Sequence, residues 1–362
     1  MSEERRRRVA VVGATGVAGQ QFLVSLENHP WFEVVALAAS ERSAGKAYRQ
    51  AITEPGGGLR WGCEEPLPPR FEKMKVVAAQ ALDLSAVDLV FSAVESDAAR
   101  ALEERFAPEV PVVSTASAFR YEDDVPILVP GVNLEHAGLV KRQQRERGWK
   151  GFVVPIPNCT ATGLVVALAP LERCFGLRSV LVVSLQALSG AGRRPGVNSL
   201  DILDNVIPYI PKEEEKVQLE TAKILGRMEG DAIRPLDLPV SATCTRVNVR
   251  DGHTECVFAS LARSATLDEV REAMQAFGRE FCELRLPSAP AELIHVTDDP
   301  FRPQPRFDRG LGDGMTTVVG RLREDPVLTN GLKFVLLSHN TKLGAAKGAV
   351  LVAEYLVHHG LA

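Results

Sequence analysis

Residues 8–39 constrain the fold more than any other stretch. "RVAVVGA" is a short uninterrupted apolar run, "GVAGQQFLVSLENH" spaces its apolar residues as a helix does, and "FEVVALAAS" is apolar again. Such a pattern reads as strand, helix, strand. A strand that is apolar on both sides must be covered on both faces, and strands joined through helices run parallel. "AVDLVFSAV" and "VPVVST", with the helix-like "SDAARALEERF" between them, continue the alternation. The spacing therefore predicts an α/β domain built on a doubly wound, Rossmann-type parallel sheet.

After Pro157 the pattern changes. "SVLVVSLQALSG" and "ATCTRVNVRDGHTECVFASLA" are longer, rich in Val and Thr and partly alternating, as in a mixed or antiparallel sheet with one face on helices. The polar stretch "NVIPYIPKEEEKVQLETAKILGRM" is helix-like in its second half, and "NTKLGAAKGAVLVAEYLVHHG" predicts a C-terminal helix that packs back onto an earlier layer. The expected division is residues 1–157 with 338–362 as the nucleotide domain and 158–337 as a second, α+β domain. "EPGGGLRWG" is expected to be a mobile loop.

The 362 residues are enough for two domains. With 24% charged residues and a formal net charge of -4, neither nucleic acid nor a membrane is expected as a partner. Six cysteines, with no CxxC pair, argue for reduced thiols in a cytoplasm and against a metal site. The start "MSEERRRR" lacks the apolar stretch of a signal peptide, and its Arg5–Arg8 run reads as a solvated tail. No segment approaches the roughly 20 apolar residues of a spanning helix.

"VVGATGVAGQ" places Gly13, Thr15, Gly16, Val17 and Gly19 where the first strand turns into the first helix. Glycines there let the backbone approach a pyrophosphate, which then sits on the helix N-terminus. At the end of the second strand, an enzyme selective for NAD usually carries Asp or Glu for the ribose 2′-OH, whereas a 2′-phosphate needs hydroxyls and positive charge. This chain has "AASERSAGK": Ser40, Arg42 and Ser43, with Lys46 behind them and Glu41 discordant. NADP is the expected cofactor.

In "PNCTATG", Cys159 stands between a strand and the start of a helix, where a thiolate is stabilised by the helix dipole and free N–H groups, with Thr160 and Thr162 as expected caps. Taken alone, one of six thiols is as readily a small buried apolar side chain. A nucleophile needs a partner base. Among seven histidines, His253 in "RVNVRDGH" follows a strand-like run and a glycine, a place where catalytic groups are presented.

Together, GATG at the first turn, "SERSAGK" after the second strand, "PNCT", the Gln-bearing "VSLQALSGAG", and Arg246 seven residues before His253 resemble the aspartate-semialdehyde dehydrogenase family, closest to its archaeal and fungal branch. The resemblance implies a second catalytic and dimerisation domain of the glyceraldehyde-3-phosphate dehydrogenase type and a homodimer or homotetramer. It also implies NADP-dependent interconversion of L-aspartate 4-semialdehyde and L-4-aspartyl phosphate, with phosphate as co-substrate, feeding lysine, threonine, methionine and isoleucine synthesis.

Carried over by residue, the resemblance makes Cys159 the nucleophile that forms a thioester, His253 its acid and base, and Gln186 the residue orienting the intermediate. Arg246 would grip the substrate carboxylate, Glu213 its ammonium, and Arg120 and Lys216 the phosphate. Asn158 would help hold the reacting centre and Asn340 the nicotinamide. Three consecutive glutamates, Glu213 to Glu215, leave that register open by one residue. Two related reductases stay in view. N-acetyl-glutamyl-phosphate reductase usually has a glycine where this chain has Asn158, and malonyl-CoA reductase has a substrate with no ammonium for Glu213. A non-catalytic binding relative is expected to lack Cys159 or His253, and both are present.

Overall fold

Apolar runs covered on both sides make the first sheet. The computed structural model describes residues 6–192 and 197–362, so Arg5 of the Arg5–Arg8 run lies outside the described residues. β1 (Arg7–Val12), β2 (Phe32–Ala39), β3 (Val76–Ala78), β4 (Leu89–Ser92), β5 (Val112–Ser114) and β6 (Val153–Pro155) lie in the order β3-β2-β1-β4-β5-β6. Every pairing is parallel. The order reverses between β1 and β4, which is the topological switch point where ligands bind in such sheets. Val9 to Val12 are fully buried, as two-sided coverage requires.

The helices Val17–Ser25 and Ala346–His358 pack on each other. His29 Nε2 and Glu354 Oε1, 2.9 Å apart and buried, tie that helix to the turn before β2. The expected mobile loop at 54–62 is tied down by main-chain bonds of Glu54 to Gly58 and of Arg60 to Ile52, and by Gly62 N–H on Gln20 Oε1.

The chain divides into two compact units, Met1–Pro126 with Ala137–Ile156 and Ala345–Ala362, and Ile127–His136 with Pro157–Gly344. In the second unit, β7 (Leu177–Gln186), β10 (Val240–Arg246), β11 (His253–Leu261), β12 (Ile294–Val296), β13 (Thr317–Asp325) and β14 (Gly331–Ser338) form a sheet in the order β10-β7-β11-β14-β13-β12. β8 (Arg227–Glu229) and β9 (Ala232–Arg234) make a separate two-stranded ribbon. β7 runs parallel to β10 and β12 to β13, while the remaining pairs are antiparallel, so the sheet is mixed.

Alternation sets the faces of β7. Val180, Val182, Ser184 and Gln186 are buried, whereas Leu181 and Val183 stand exposed on the other side. The helix Cys159–Phe175 covers the buried face, packing on β7, β11, β13 and β14. Gly163 allows the close approach, since a Cβ there would lie 2.7 Å from Ser338 Cβ.

Candidate active site

The helix that carries Cys159 is started by its neighbour. Asn158 is the N-cap, with Oδ1 accepting from the main-chain N–H of Thr160 at 2.9 Å and of Ala161 at 3.2 Å. The expected caps Thr160 and Thr162 do other work: Thr160 Oγ1 donates towards Glu213 Oε1 and Thr162 Oγ1 bonds back to the Asn158 carbonyl. Asx side chains reach N2 and N3 more readily from the N-cap than from inside the first turn. Cys159 is thereby the first helical residue, half-buried, and its Sγ lies 3.2 Å from His253 Nε2.

Strand register assembles the rest. β7 ends at Gln186 and β10 at Arg246, which are paired, while β11 starts at His253, paired with Ser338 at the end of β14. Four strand ends thus bring these residues to one edge of the buried face. Just below, Cys244 pairs with Ser184 and Glu255 with Ser184, and the next layer, with Ala242, Val182 and Val257, is apolar. Gln186 Nε2 donates to Ser184 Oγ at 3.1 Å. Arg246 Nη1 donates to the Ala187 carbonyl at 2.8 Å. His253 is fully buried, and its Nδ1 accepts from the Ala187 N–H at 3.1 Å. Burial, with Arg246 and His339 nearby, pushes the imidazole down to about 3.

The structure distinguishes the three glutamates. Glu213, first residue of the helix Glu213–Ile224, is buried and accepts from Asn158 Nδ2 at 2.8 Å. Glu214 accepts from the Cys244 N–H, and Glu215 is exposed. Lys216 Nζ stands 4.0 Å from Glu213 Oε2. Asn340 is buried, with Oδ1 accepting from Gly252 N–H and Nδ2 donating to Ser189 Oγ, both at 2.8 Å.

In the first unit, Gly13 (φ +81°) turns directly against β4: a Cβ there would lie 2.3 Å from the Ala93 carbonyl oxygen. A Cβ on Gly19 would lie 2.1 Å from the Gly13 carbonyl oxygen, so the helix closes on the turn only with glycine there. Gly16 is the N-cap of the helix Val17–Ser25 and brings no side chain to its N–H groups, and Thr15 and Val17 flank it. Ser40 and Arg42 are exposed just past β2, while Ser43 is buried beneath them. A bare glycine turn into a helix N-terminus beside two hydroxyls and a guanidinium fits a dinucleotide carrying a 2′-phosphate. Arg120 also belongs to the first unit; it is buried, with Nε on the Ile156 carbonyl at 2.9 Å and Nη2 on the Thr115 carbonyl at 2.8 Å.

A family model described as semialdehyde dehydrogenase, NAD binding domain, matches residues 8–139, and one described as semialdehyde dehydrogenase, dimerisation domain, matches 168–343. The aspartate-semialdehyde dehydrogenase of Methanothermobacter thermautotrophicus is 44% identical over 348 residues, 96% of this chain and 98% of the relative. That of Cryptococcus neoformans is 43% identical over 100% of both chains. The chain belongs to the aspartate-semialdehyde dehydrogenase family. The crystal structure of the Candida albicans aspartate-semialdehyde dehydrogenase with NADP superposes with a TM-score of 0.88 at 40% identity, covering 98% of this chain and 100% of that one.

As a member of the aspartate-semialdehyde dehydrogenase family, the chain has the fold expected for it, a Rossmann-type sheet followed by a mixed-sheet domain. Sequence reading missed three participants in the cluster. Ala187 acts through its main chain and leaves no side-chain signal. Glu220, seven residues after Glu213 and so on the same helix face, accepts from the Asn158 N–H at 2.6 Å. Glu255 is fully buried, with neither oxygen hydrogen-bonded among the described residues. Its burial, with Glu213 nearby, pushes its carboxyl well above the usual range. Its place two residues after His253, on the inward phase of an apolar strand, was the available sign.

Proposed function

We propose that this chain is an NADP-dependent aspartate-semialdehyde dehydrogenase. It interconverts L-4-aspartyl phosphate and L-aspartate 4-semialdehyde with release or uptake of phosphate, in the synthesis of lysine, threonine, methionine and isoleucine. The observation that carries this reading is the 3.2 Å approach of Cys159 Sγ to His253 Nε2 at an Asn158-capped helix start, in a chain similar over its whole length to enzymes of that name.

In the biosynthetic direction Cys159 Sγ attacks the acyl carbon, the phosphate leaves, and a thioester remains on the enzyme. The oxygen that gains negative charge at each tetrahedral stage is met by His253 Nε2, and Gln186 orients the intermediate from the neighbouring strand end. Arg246, whose planar fork suits a carboxylate, takes the substrate α-carboxylate. Glu213, held by Asn158, takes the ammonium, and Arg120 and Lys216 take the phosphate. NADPH supplies the hydride; Gly13, Thr15, Gly16, Val17 and Gly19 would hold its pyrophosphate and Ser40, Arg42 and Ser43 its 2′-phosphate. Asn340 serves the nicotinamide side by fixing the Gly252 and Ser189 segments.

The chain binds a small-molecule substrate and oligomerises. A homodimer or homotetramer is part of the proposal, supported by exposed Leu181 and Val183 on the outer side of β7. A cytoplasmic location is supported by six cysteines that form no disulfide. Among the described residues no helix is long and apolar enough to cross a membrane. The deciding assay follows NADPH formation from aspartate semialdehyde: it requires phosphate or arsenate, and equal turnover without either ion rejects the reaction.

A further inference from the structure

We propose that Glu103 is a positioning residue for phosphate: from the helix Ser96–Phe106 it fixes the loop after β5, and through that loop the guanidinium of Arg120. This rests on the reading of Arg120 as a phosphate-binding residue. Ser96, Arg100 and Glu103 follow one another at i, i+4 and i+7, the spacing that brings side chains to one helix face. All three meet residues 114–122. Ser96 Oγ lies 2.7 Å from Ser117 Oγ. Arg100 Nη2 donates to the Ala118 carbonyl and, at 2.8 Å, to Glu122 Oε1, and its guanidinium stands 4.7 Å from the ring of buried Phe119. Glu103 Oε1 accepts from Ser114 Oγ at 2.5 Å, and that oxygen in turn accepts the Ala116 N–H at 3.0 Å.

The bonds continue to the guanidinium. Thr115, between Ser114 and Ala116, donates its N–H to the Ser92 carbonyl at 2.9 Å and accepts Arg120 Nη2 on its own carbonyl at 2.8 Å. Arg120 Nε donates to the Ile156 carbonyl at 2.9 Å. Two main-chain carbonyls therefore orient the guanidinium plane, and the direction of one of them is set by the Glu103–Ser114 bond. All of these residues belong to the first unit.

Stability alone does not call for this carboxyl. Glu103 is fully buried; Oε1 takes the hydroxyls of both Ser92 and Ser114, and Oε2 has no hydrogen-bond partner among the described residues. Burying a carboxyl costs more than burying an apolar side chain of the same size. What the group supplies is direction: it turns the Ser114 hydroxyl so that its lone pair receives the Ala116 N–H, and the peptide on either side of Thr115 is held in one orientation. Arg100 and Arg120 are the charged groups that bear on it.

The test uses intact enzyme and follows NADPH formation from aspartate semialdehyde while phosphate is varied. Ser114→Ala removes the link between Glu103 and the loop. Ser92→Ala removes the other hydroxyl from the same carboxylate oxygen and breaks no side-chain bond of the loop, so it reports the effect of disturbing the buried carboxyl without disturbing Arg120. Glu103→Leu is compared with Glu103→Gln, which keeps an acceptor for both hydroxyls. Arg120→Ala is the reference, and chemical denaturation gives the stability of each variant.

Ser114→Ala and Glu103→Leu should raise KM for phosphate about 10-fold or more, with kcat at saturating phosphate within about twofold of the parent. Ser92→Ala should lose as much stability as Ser114→Ala and keep the parent KM, and Glu103→Gln should recover most of what Glu103→Leu loses. An unchanged KM in Ser114→Ala, an equal rise in Ser92→Ala, or equal KM in the two Glu103 variants overturns the proposal. If Glu103→Leu does not fold, the two serine variants decide. Failure of the Arg120 reading shows separately, as a parent-like KM for phosphate in Arg120→Ala.

Discussion

Asn158 donates to Glu213 Oε1 at 2.8 Å through Nδ2 while its Oδ1 caps the helix that begins at Cys159. One side chain therefore joins the carboxylate proposed to bind the substrate ammonium to the helix that starts at Cys159. Asn158→Ala should cost about 1 kcal/mol of stability from the lost cap, read by chemical denaturation. It should also lower kcat/KM by more than the stability loss explains, because Glu213 loses its anchor. Asn158→Asp should keep the cap and still lower kcat/KM, since it sets a second carboxylate against Glu213.

Glu213→Gln should raise KM for aspartate semialdehyde about 10-fold or more, with a smaller change in kcat, because a buried charge-assisted pair to the substrate ammonium is lost. Glu215→Gln should leave both constants near the parent values, since Glu215 is exposed. Steady-state kinetics decide this, and an effect at Glu215 instead of Glu213 would shift the register. Malonyl-CoA, which has no ammonium, should be a poor substrate for the parent enzyme.

Cys159→Ser should lower turnover by about a thousandfold or more while NADP titration gives the parent affinity, because the glycine turn and the Ser40–Ser43 segment belong to the other unit. Acid quench with labelled acyl phosphate should trap a thioester on the parent protein alone.

Arg42→Ala should weaken NADP by about 10-fold or more and leave NAD little changed, as loss of one charged donor to a 2′-phosphate implies. Fluorescence titration with the two dinucleotides measures the ratio. Equal loss for both would remove Arg42 from 2′-phosphate recognition.

Glu103 is fully buried and accepts from Ser92 Oγ at 2.7 Å and Ser114 Oγ at 2.5 Å, the last residues of β4 and β5. Burial, only partly offset by these hydroxyls and by Arg120, pushes its carboxyl from the ordinary 4.5 up to about 7. A carboxyl with a raised folded pKa keeps a proton that the unfolded chain releases, so its contribution to stability falls as pH rises from about 4.5 and levels off above about 7. Glu103→Gln keeps an acceptor for both hydroxyls and removes this loss. Its unfolding free energy relative to the parent should rise between about pH 5 and about pH 8, by roughly 2 kcal/mol.

Much of this was legible before the fold was known, and the reasons differ by element. The first sheet could be read because fully buried parallel strands leave unbroken apolar runs such as "RVAVV" and "DLVFS". The glycine turn was visible because only glycine fits a backbone that approaches Ala93 so closely. The mixed sheet was only partly visible: β13 and β14 carry Lys, Arg and Glu on their open face, which blurs the apolar signal. The cap on the Cys159 helix was assigned to the threonines because residue type alone does not say which of several capping residues precedes the first helical turn.

Residue type and local spacing were enough to read the strand–helix alternation, the dinucleotide turn, and the candidate residues Cys159, His253, Gln186 and Arg246. Packing in three dimensions was needed to show that Glu213 and not Glu215 turns inward, and that Asn158 caps the Cys159 helix. It alone revealed that the N–H of Ala187 bonds to Nδ1 of His253. Those outcomes depend on strand register and on main-chain atoms contributed by residues far apart in the chain. A backbone N–H carries no residue identity, so composition and periodicity hold no record of where it points.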